Sequence, residues 1–162
     1  GCPEIRPGTP EHQAFAAALD AVCIELAKMI VRDGEGASKL IEINVTGAQT
    51  DQDAVLVAKA IAESNLVKTA VFGEDANWGR IVCAVGYSGA EIDPARIDVK
   101  IGSIKMCENG EGLEYDEGFV SEILREREIV IQVDLNLGEA KARVWTCDLT
   151  YDYIKINASY RS

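Results

Sequence analysis

Two hydrophobic periods meet across nine residues of this chain, and that junction restricts its fold more than any other feature. Phe15, Leu19, Val22, Cys23, Leu26, Met29 and Ile30 recur every three or four positions, as on one face of a helix. From Leu40 the apolar positions alternate instead, with Ile41, Ile43 and Val45 on one side of a strand. Between the two lies Val31-Arg32-Asp33-Gly34-Glu35-Gly36-Ala37-Ser38-Lys39. Thr9-Pro10-Glu11 supplies the helix start, with Thr9 as cap, Pro10 at the first helical position and an acid in the first turn. The stripe predicts core packing along the whole helix. Gly34 stands where a left-handed residue ends a helix, and Gly36 lets the chain bend again. Glu35 is held between them, beside the negative end of a helix dipole, where an acid does nothing for the helix. It reads either as a solvated turn acid paired with Arg32 or Lys39, or as a carboxylate aimed at a cationic or amine-bearing ligand.

At 162 residues, 48% of them hydrophobic, the chain can build one domain with a proper core. A formal net charge of -11 argues against nucleic acid or an anionic membrane as partner, since both select basic surfaces. No apolar run approaches the roughly 20 residues of a membrane span, and no export signal is visible at the N-terminus. The absence of an initiator methionine points to the later part of something longer. Cys2, Cys23, Cys83, Cys107 and Cys147 are odd in number and contain no Cys-x-x-Cys, and His12 is the single histidine. No metal site is expected from that set. Most of the cysteines sit on apolar faces and read as buried small hydrophobes, a reducing compartment fits them best, and His12 reads as an exposed first-turn residue.

Further along, Thr46-Gly47-Ala48 reads as a turn, and Thr50 caps a helix whose residues 54–62 are apolar almost all round. Residues 67–72 read as a second strand, which runs through Gly73-Glu74-Asp75-Ala76-Asn77-Trp78-Gly79-Arg80 into a helix over 81–87. Neither the dinucleotide glycine pattern nor the Walker pattern is present. Asp75 or Asn77 caps that helix while Trp78 packs on the sheet, or Asp75, Asn77 and Arg80 together hold a carboxylate or brace a neighbouring loop. Residues 97–101 and 104–106 form short strands, 108–118 an acidic loop, and Asp116 starts a helix with Phe119, Ile123 and Leu124 inward. Residues 129–135 and 140–149 alternate about Asn136-Leu137-Gly138 as a hairpin, and 151–157 continue extended. The fold class that follows is α+β, with mixed and partly antiparallel sheet packed against helices. No Ser/His/Asp set and no supported Cys/His pair is present, so the residues alone reach a domain with a candidate ligand carboxylate.

Three stretches carry a resemblance. They are residues 31–39, then Lys68-Thr69-Ala70-Val71-Phe72 with the glycine turn through Arg80, then Trp145-Thr146-Cys147-Asp148-Leu149-Thr150-Tyr151-Asp152-Tyr153-Ile154-Lys155-Ile156-Asn157. In this order they resemble the ornithine acetyltransferase family, the glutamate N-acetyltransferases of cyclic arginine biosynthesis. The resemblance covers essentially the whole chain and implies the C-terminal portion of that family's β chain, as a single domain over 1–162. It implies a precursor that cuts itself at an Ala-Thr bond, freeing a threonine that carries acetyl from N2-acetylornithine to glutamate. It further implies an αββα sandwich shared with self-cleaving aminopeptidases, a cytoplasmic location (organellar in eukaryotes) and an α2β2-type oligomer. No cofactor is implied, although some members accept acetyl-CoA as donor. The expected partners are N-acetylornithine, glutamate, the α chain and the N-terminal part of the β chain.

This sequence contains no Ala-Thr bond, so no nucleophile is assigned to it. Carried over by position, Glu35, Asn157 and Ser162 are the substrate-binding residues, with Asp33, Lys39, Asp75, Asn77 and Arg80 as support. Serine at 162, where threonine is commoner, keeps the hydroxyl. Without the resemblance, Asn157 is a strand-end turn residue and Ser162 a frayed terminus. The alternative function is a non-catalytic amino-acid-binding or interaction module of the same fold.

Overall fold

The computed structural model describes residues 5–159. Thr9 caps helix α1 (Pro10–Arg32), its Oγ1 accepting from the His12 amide at 3.3 Å. Strand β1 (Leu40–Ala48) follows, and then α2 (Asp51–Glu63), α3 (Asn65–Phe72) and α4 (Trp78–Gly86). Strands β2 (Asp98–Ile101), β3 (Ile104–Glu108) and β4 (Glu111–Gly112) lead to α5 (Glu117–Arg125). The chain closes with β5 (Glu128–Asp134), β6 (Ala140–Cys147) and α6 (Tyr151–Ser159). The sheet order is β4-β3-β2-β5-β1-β6, parallel only between β1 and β5. This is the mixed α-and-β class expected.

One sheet face is the core. Ile41, Ile43 and Val45 of β1 register against Ile129, Ile131 and Val133 of β5, and Val99 and Ile101 of β2 continue the row. Ala54, Val57, Ala58 and Ile61 of α2, Ile81, Ala84 and Val85 of α4, and Val120 and Leu124 of α5 complete the cluster, all at most 2% exposed. The other face is polar. There Trp145 Nε1 donates to Glu42 Oε2 at 2.8 Å, and Lys28 of α1 lies 4.0 Å from the same oxygen. Burial opposes the charge on Glu42, but hydrogen bonds from Asn44 and Trp145 and the Arg143 and Lys28 cations outweigh it and hold its pKa down.

Several expectations are overturned. No residue of α1 is buried, and its stripe faces away from the sheet, with Phe15 54% and Ile30 74% exposed. Ile24, Ala27, Lys28 and Val31, roughly half a turn round the helix, are the half-buried side. The helix is apolar on two sides, and the periodicity of the stronger one hid the side that packs here. His12 is half-buried, Cys23 and Cys83 are exposed, and only Cys107 among the described cysteines is fully buried.

Residues 67–72 are helical. Ser64 Oγ accepts from the Val67 amide, and Val67, Ala70 and Val71 form one buried face. Their β-branched content fits a strand, but the cap and the three-residue spacing decide. The expected hairpin is absent because β1 lies between β5 and β6 and pairs with both. The connection wraps round the end of β1, with the Leu137 and Gly138 amides donating to Gly47 O at 2.7 and 2.8 Å. The expected turn at 46–48 is instead the irregular end of β1, where Gly47 takes φ +70°. Residues 111–112 of the expected acidic loop pair with β3. In α5 it is Val120 and Leu124 that are buried, while Phe119 is 49% exposed. Tyr151–Ser159 is a helix, because the Thr150 hydroxyl accepts from the Tyr153 amide at 3.3 Å and caps it. Its aromatic and β-branched residues imitate a strand.

Candidate functional site

The loop between α1 and β1 is fixed at three places. Asp33 ends α1, its amide donating to Met29 O at 3.1 Å. The left-handed residue is Gly36, at φ +67°, and not Gly34. Gly34 is closely surrounded, and a Cβ there, 3.3 Å from Cys147 Sγ and 3.2 Å from Val31 O, would require these neighbours to give by a few tenths of an ångström. Gly36 is needed for space as well as for its φ: a Cβ would meet the Tyr153 amide nitrogen at 2.5 Å. The loop backbone therefore lies directly on the first turn of α6.

Asp148 holds the outgoing end. Its Oδ1 accepts from the Ser38 amide at 2.8 Å and the Lys39 amide at 2.9 Å, and the Ser38 hydroxyl donates to its Oδ2. Thr150 holds the middle, donating its hydroxyl to Gly36 O at 2.6 Å. Asp148 and Thr150 are buried, at 3% and 6% exposure. Sequence reasoning places both within a motif and gives neither a role. The signal is present in two polar residues alternating with apolar ones just past an apolar strand.

The structure brings Glu35 and Asn157 together across 122 residues, Asn157 Nδ2 donating to Glu35 Oε2 at 3.0 Å. Asn157 is a helix residue, and its Nδ2 also donates to Tyr153 O one turn back at 2.9 Å. Neither Arg32 nor Lys39 pairs with Glu35. Arg32 bridges to Glu128 at 2.8 Å. Lys39 Nζ donates to Val71 O at 3.0 Å and Leu124 O at 2.6 Å, closing the C-terminal ends of α3 and α5. Among the described residues no lysine or arginine forms an ion pair with Glu35, which is exposed. An exposed carboxylate fixed by a neutral amide and unbalanced by a cation can accept an ammonium group.

The other supporting residues stand elsewhere. Asn77 caps α4, its Oδ1 accepting from the Arg80 amide at 3.2 Å, and its Nδ2 donates to Asp75 Oδ2 at 3.1 Å. Arg80 NH1 donates to Leu66 O at 2.9 Å. These three tie α3 to α4 and make no hydrogen bond to the Glu35 loop among the described residues. Glu74, to which sequence reasoning gives no role, joins Arg125 at 3.1 Å and lies 4.0 Å from Lys39. Ser162 lies outside the described residues. Among the described residues, two hollows have the 36–39 part of the loop as a wall. One of about 390 Å³ is lined by Gly36, Phe72, Thr150 and Tyr151, the other of about 490 Å³ by Arg32, Lys39, Leu40 and Arg127.

The ArgJ family model matches residues 4–162 of the chain. Among curated proteins, the arginine biosynthesis bifunctional protein ArgJ of Symbiobacterium thermophilum is 56% identical over 162 residues, covering 100% of this chain and 40% of that protein. The protein of the same name from Geobacillus kaustophilus is 52% identical, with the same coverage of 100% and 40%. The crystal structure of the arginine biosynthesis bifunctional protein from Bacillus halodurans superposes with a TM-score of 0.95 at 48% identity, over 98% of this chain and 75% of that one. The chain thus spans about 40% of the length of the curated relatives it matches.

Proposed function

Because the chain belongs to the ArgJ family, we propose that it forms the amino-acid-binding portion of a cytoplasmic glutamate N-acetyltransferase in arginine biosynthesis. It is the C-terminal portion of the β chain, one domain over 1–162. Glu35 and Asn157 hold the ornithine or glutamate moiety, Glu35 by charge to an ammonium and Asn157 by its amide, with Ser162 as a third contact. The observation that supports this reading is the Glu35–Asn157 bond at 3.0 Å, built from ends of the chain that nothing but the fold brings together.

The nucleophile is a threonine upstream of these residues, freed by self-cleavage. Its Oγ attacks the acetyl carbonyl of N2-acetylornithine while its own α-amine takes the proton, and the ornithine amine leaves. The glutamate amine then attacks the acetyl-threonine ester and restores the hydroxyl. An oxyanion hole on the α chain steadies both tetrahedral intermediates. Acetyl-CoA is an alternative donor in the first step. The exposed stripe of α1 is where the remainder of an α2β2 assembly docks. Six large apolar side chains on one helix face, from Phe15 to Ile30, are each at least 49% exposed, and most of each relative's length lies outside the match.

The test is acetyl transfer from N-acetylornithine to glutamate, comparing this chain alone with this chain co-expressed with everything upstream in its gene. Activity in the assembled form alone is expected. In that form Glu35→Gln raises KM for N-acetylornithine about tenfold or more, the scale of a lost charge-assisted bond. Wild-type kinetics for this variant would remove Glu35 from the site. No activity in either form, together with heat of binding for ornithine or glutamate on the isolated chain, would favour a non-catalytic binding module.

A further inference from the structure

We infer that Thr150, seconded by Asp148, is a positioning residue for the Glu35–Asn157 pair; the inference rests on the reading of Glu35 as substrate-binding.

A threonine hydroxyl has one proton to give and lone pairs to receive. Thr150 uses both kinds in opposite directions. It donates to Gly36 O at 2.6 Å and accepts from the Tyr153 amide at 3.3 Å. Gly36 follows Glu35 directly in the chain. Tyr153 stands one helical turn before Asn157, and its carbonyl holds the Asn157 amide at 2.9 Å. One buried hydroxyl therefore joins the backbone that carries the carboxylate to the helix that carries its amide partner. The circuit runs Glu35, Gly36, Thr150, Tyr153, Asn157 and back to Glu35 through the 3.0 Å bond.

The close approach depends on there being no side chain at Gly36, where a Cβ would reach the Tyr153 nitrogen at 2.5 Å. Asp148 fixes the loop two and three residues further on, through the Ser38 and Lys39 amides and the Ser38 hydroxyl. Both anchors are buried, so water does not take the place of the bonds they make. Glu35 is exposed and has Asn157 as its single hydrogen-bond partner among the described residues. Its placement thus comes from the backbone, and the backbone's placement comes from Thr150 and Asp148.

An ordinary helix cap predicts less. A cap alone would lower the fraction of folded protein and leave the surviving sites with normal affinity. A positioning residue changes KM at each surviving site. The experiment is a double-mutant cycle in the assembled enzyme, with active sites titrated so that kcat is per competent site. Thr150→Val should raise KM for N-acetylornithine about tenfold with kcat within roughly twofold, while Thr150→Ser, which keeps both bonds, stays within about twofold of wild type. Because Thr150 acts through Glu35, adding Thr150→Val to Glu35→Gln should raise KM little beyond Glu35→Gln alone.

Equal and independent effects in the double variant would overturn the inference. So would a Thr150→Val enzyme that loses kcat or yield at unchanged KM. A silent Glu35→Gln overturns the substrate-binding reading itself, whereas an effective Glu35→Gln beside a silent Thr150→Val overturns the positioning role alone. If Thr150→Val does not assemble, Asp148→Asn enters the same cycle, with the same non-additivity expected and additivity decisive against it.

Discussion

Gly36→Ala should be among the most costly single-methyl changes in the chain. Two separate costs follow from its surroundings. At φ +67° an L side chain costs about 1–2 kcal/mol relative to glycine. The added Cβ would also stand 2.5 Å from the Tyr153 nitrogen and 2.9 Å from the Asp152 carbonyl carbon, both backbone atoms that cannot rotate aside. Overpacking of that kind costs about 1–3 kcal/mol. No residue of α6 is buried, so the helix can yield, and the lower part of the combined range, about 2–3 kcal/mol, is expected. Gly89 isolates the first cost, because its φ is +79° and a Cβ there would have nothing within 4 Å. Urea unfolding followed by Trp78 and Trp145 fluorescence gives the comparison. With a slope of roughly 2 kcal/mol per molar urea, the Gly36→Ala midpoint should fall about 0.5–1 M below that of Gly89→Ala. Coincident midpoints would refute the close approach of the loop to α6, and with it the rigidity ascribed to Glu35.

Two other perturbations bear on the remaining surfaces. Leu19→Glu with Leu26→Glu should leave the unfolding midpoint of the isolated chain unchanged, since both side chains are already about half exposed, while abolishing co-purification with the upstream part; retained co-purification would remove α1 from the interface. Glu42 has its pKa lowered in the fold, so its stabilising contribution is complete above the unfolded-state value near 4.5 and is lost as pH falls through the lower folded value. The stability gap between wild type and Glu42→Gln should therefore be widest at neutral pH and close in acid, as read by urea midpoints at pH 7 and pH 3; a gap constant with pH would contradict it.

Much of the frame was legible because local rules governed it. Thr9 and Thr50 cap the helices the sequence assigns to them, Asn77 rather than Asp75 caps α4, and Ile41, Ile43 and Val45 are fully buried on one face of β1. What failed turned either on a cap that the pattern of the element obscured, as at Ser64 and Thr150, or on partners distant in sequence. Residues 67–72 satisfy both a strand and a helix pattern until Ser64 is recognised as a cap. Residues 129–135 and 140–147 alternate as a hairpin would, yet alternation records only that a strand has one buried face. It does not say which strand lies alongside, and β1 fills that place from far upstream. The α1 stripe shows the same limit, because amphipathicity reports that a face will be covered but does not identify what covers it.

The candidate site is legible in a different way. Glu35 is marked by its loop, and the fold supplies what the loop cannot, a neutral partner at 3.0 Å and the absence of an ion pair among the described residues. Both cations that the sequence offers to Glu35 are committed elsewhere. Lys39 is drawn to two helix ends and Arg32 to Glu128. An acid that neighbouring bases leave alone is more informative than one with no bases near it. Among the described residues the nearby positive charge is committed to structure, which leaves the Glu35 carboxylate without an ion-pair partner there. Asn157 strengthens the point, since its amide orients the carboxylate without neutralising it. Had Lys39 turned to Glu35, the loop would be equally well anchored, and the carboxylate would be closed to an amine ligand.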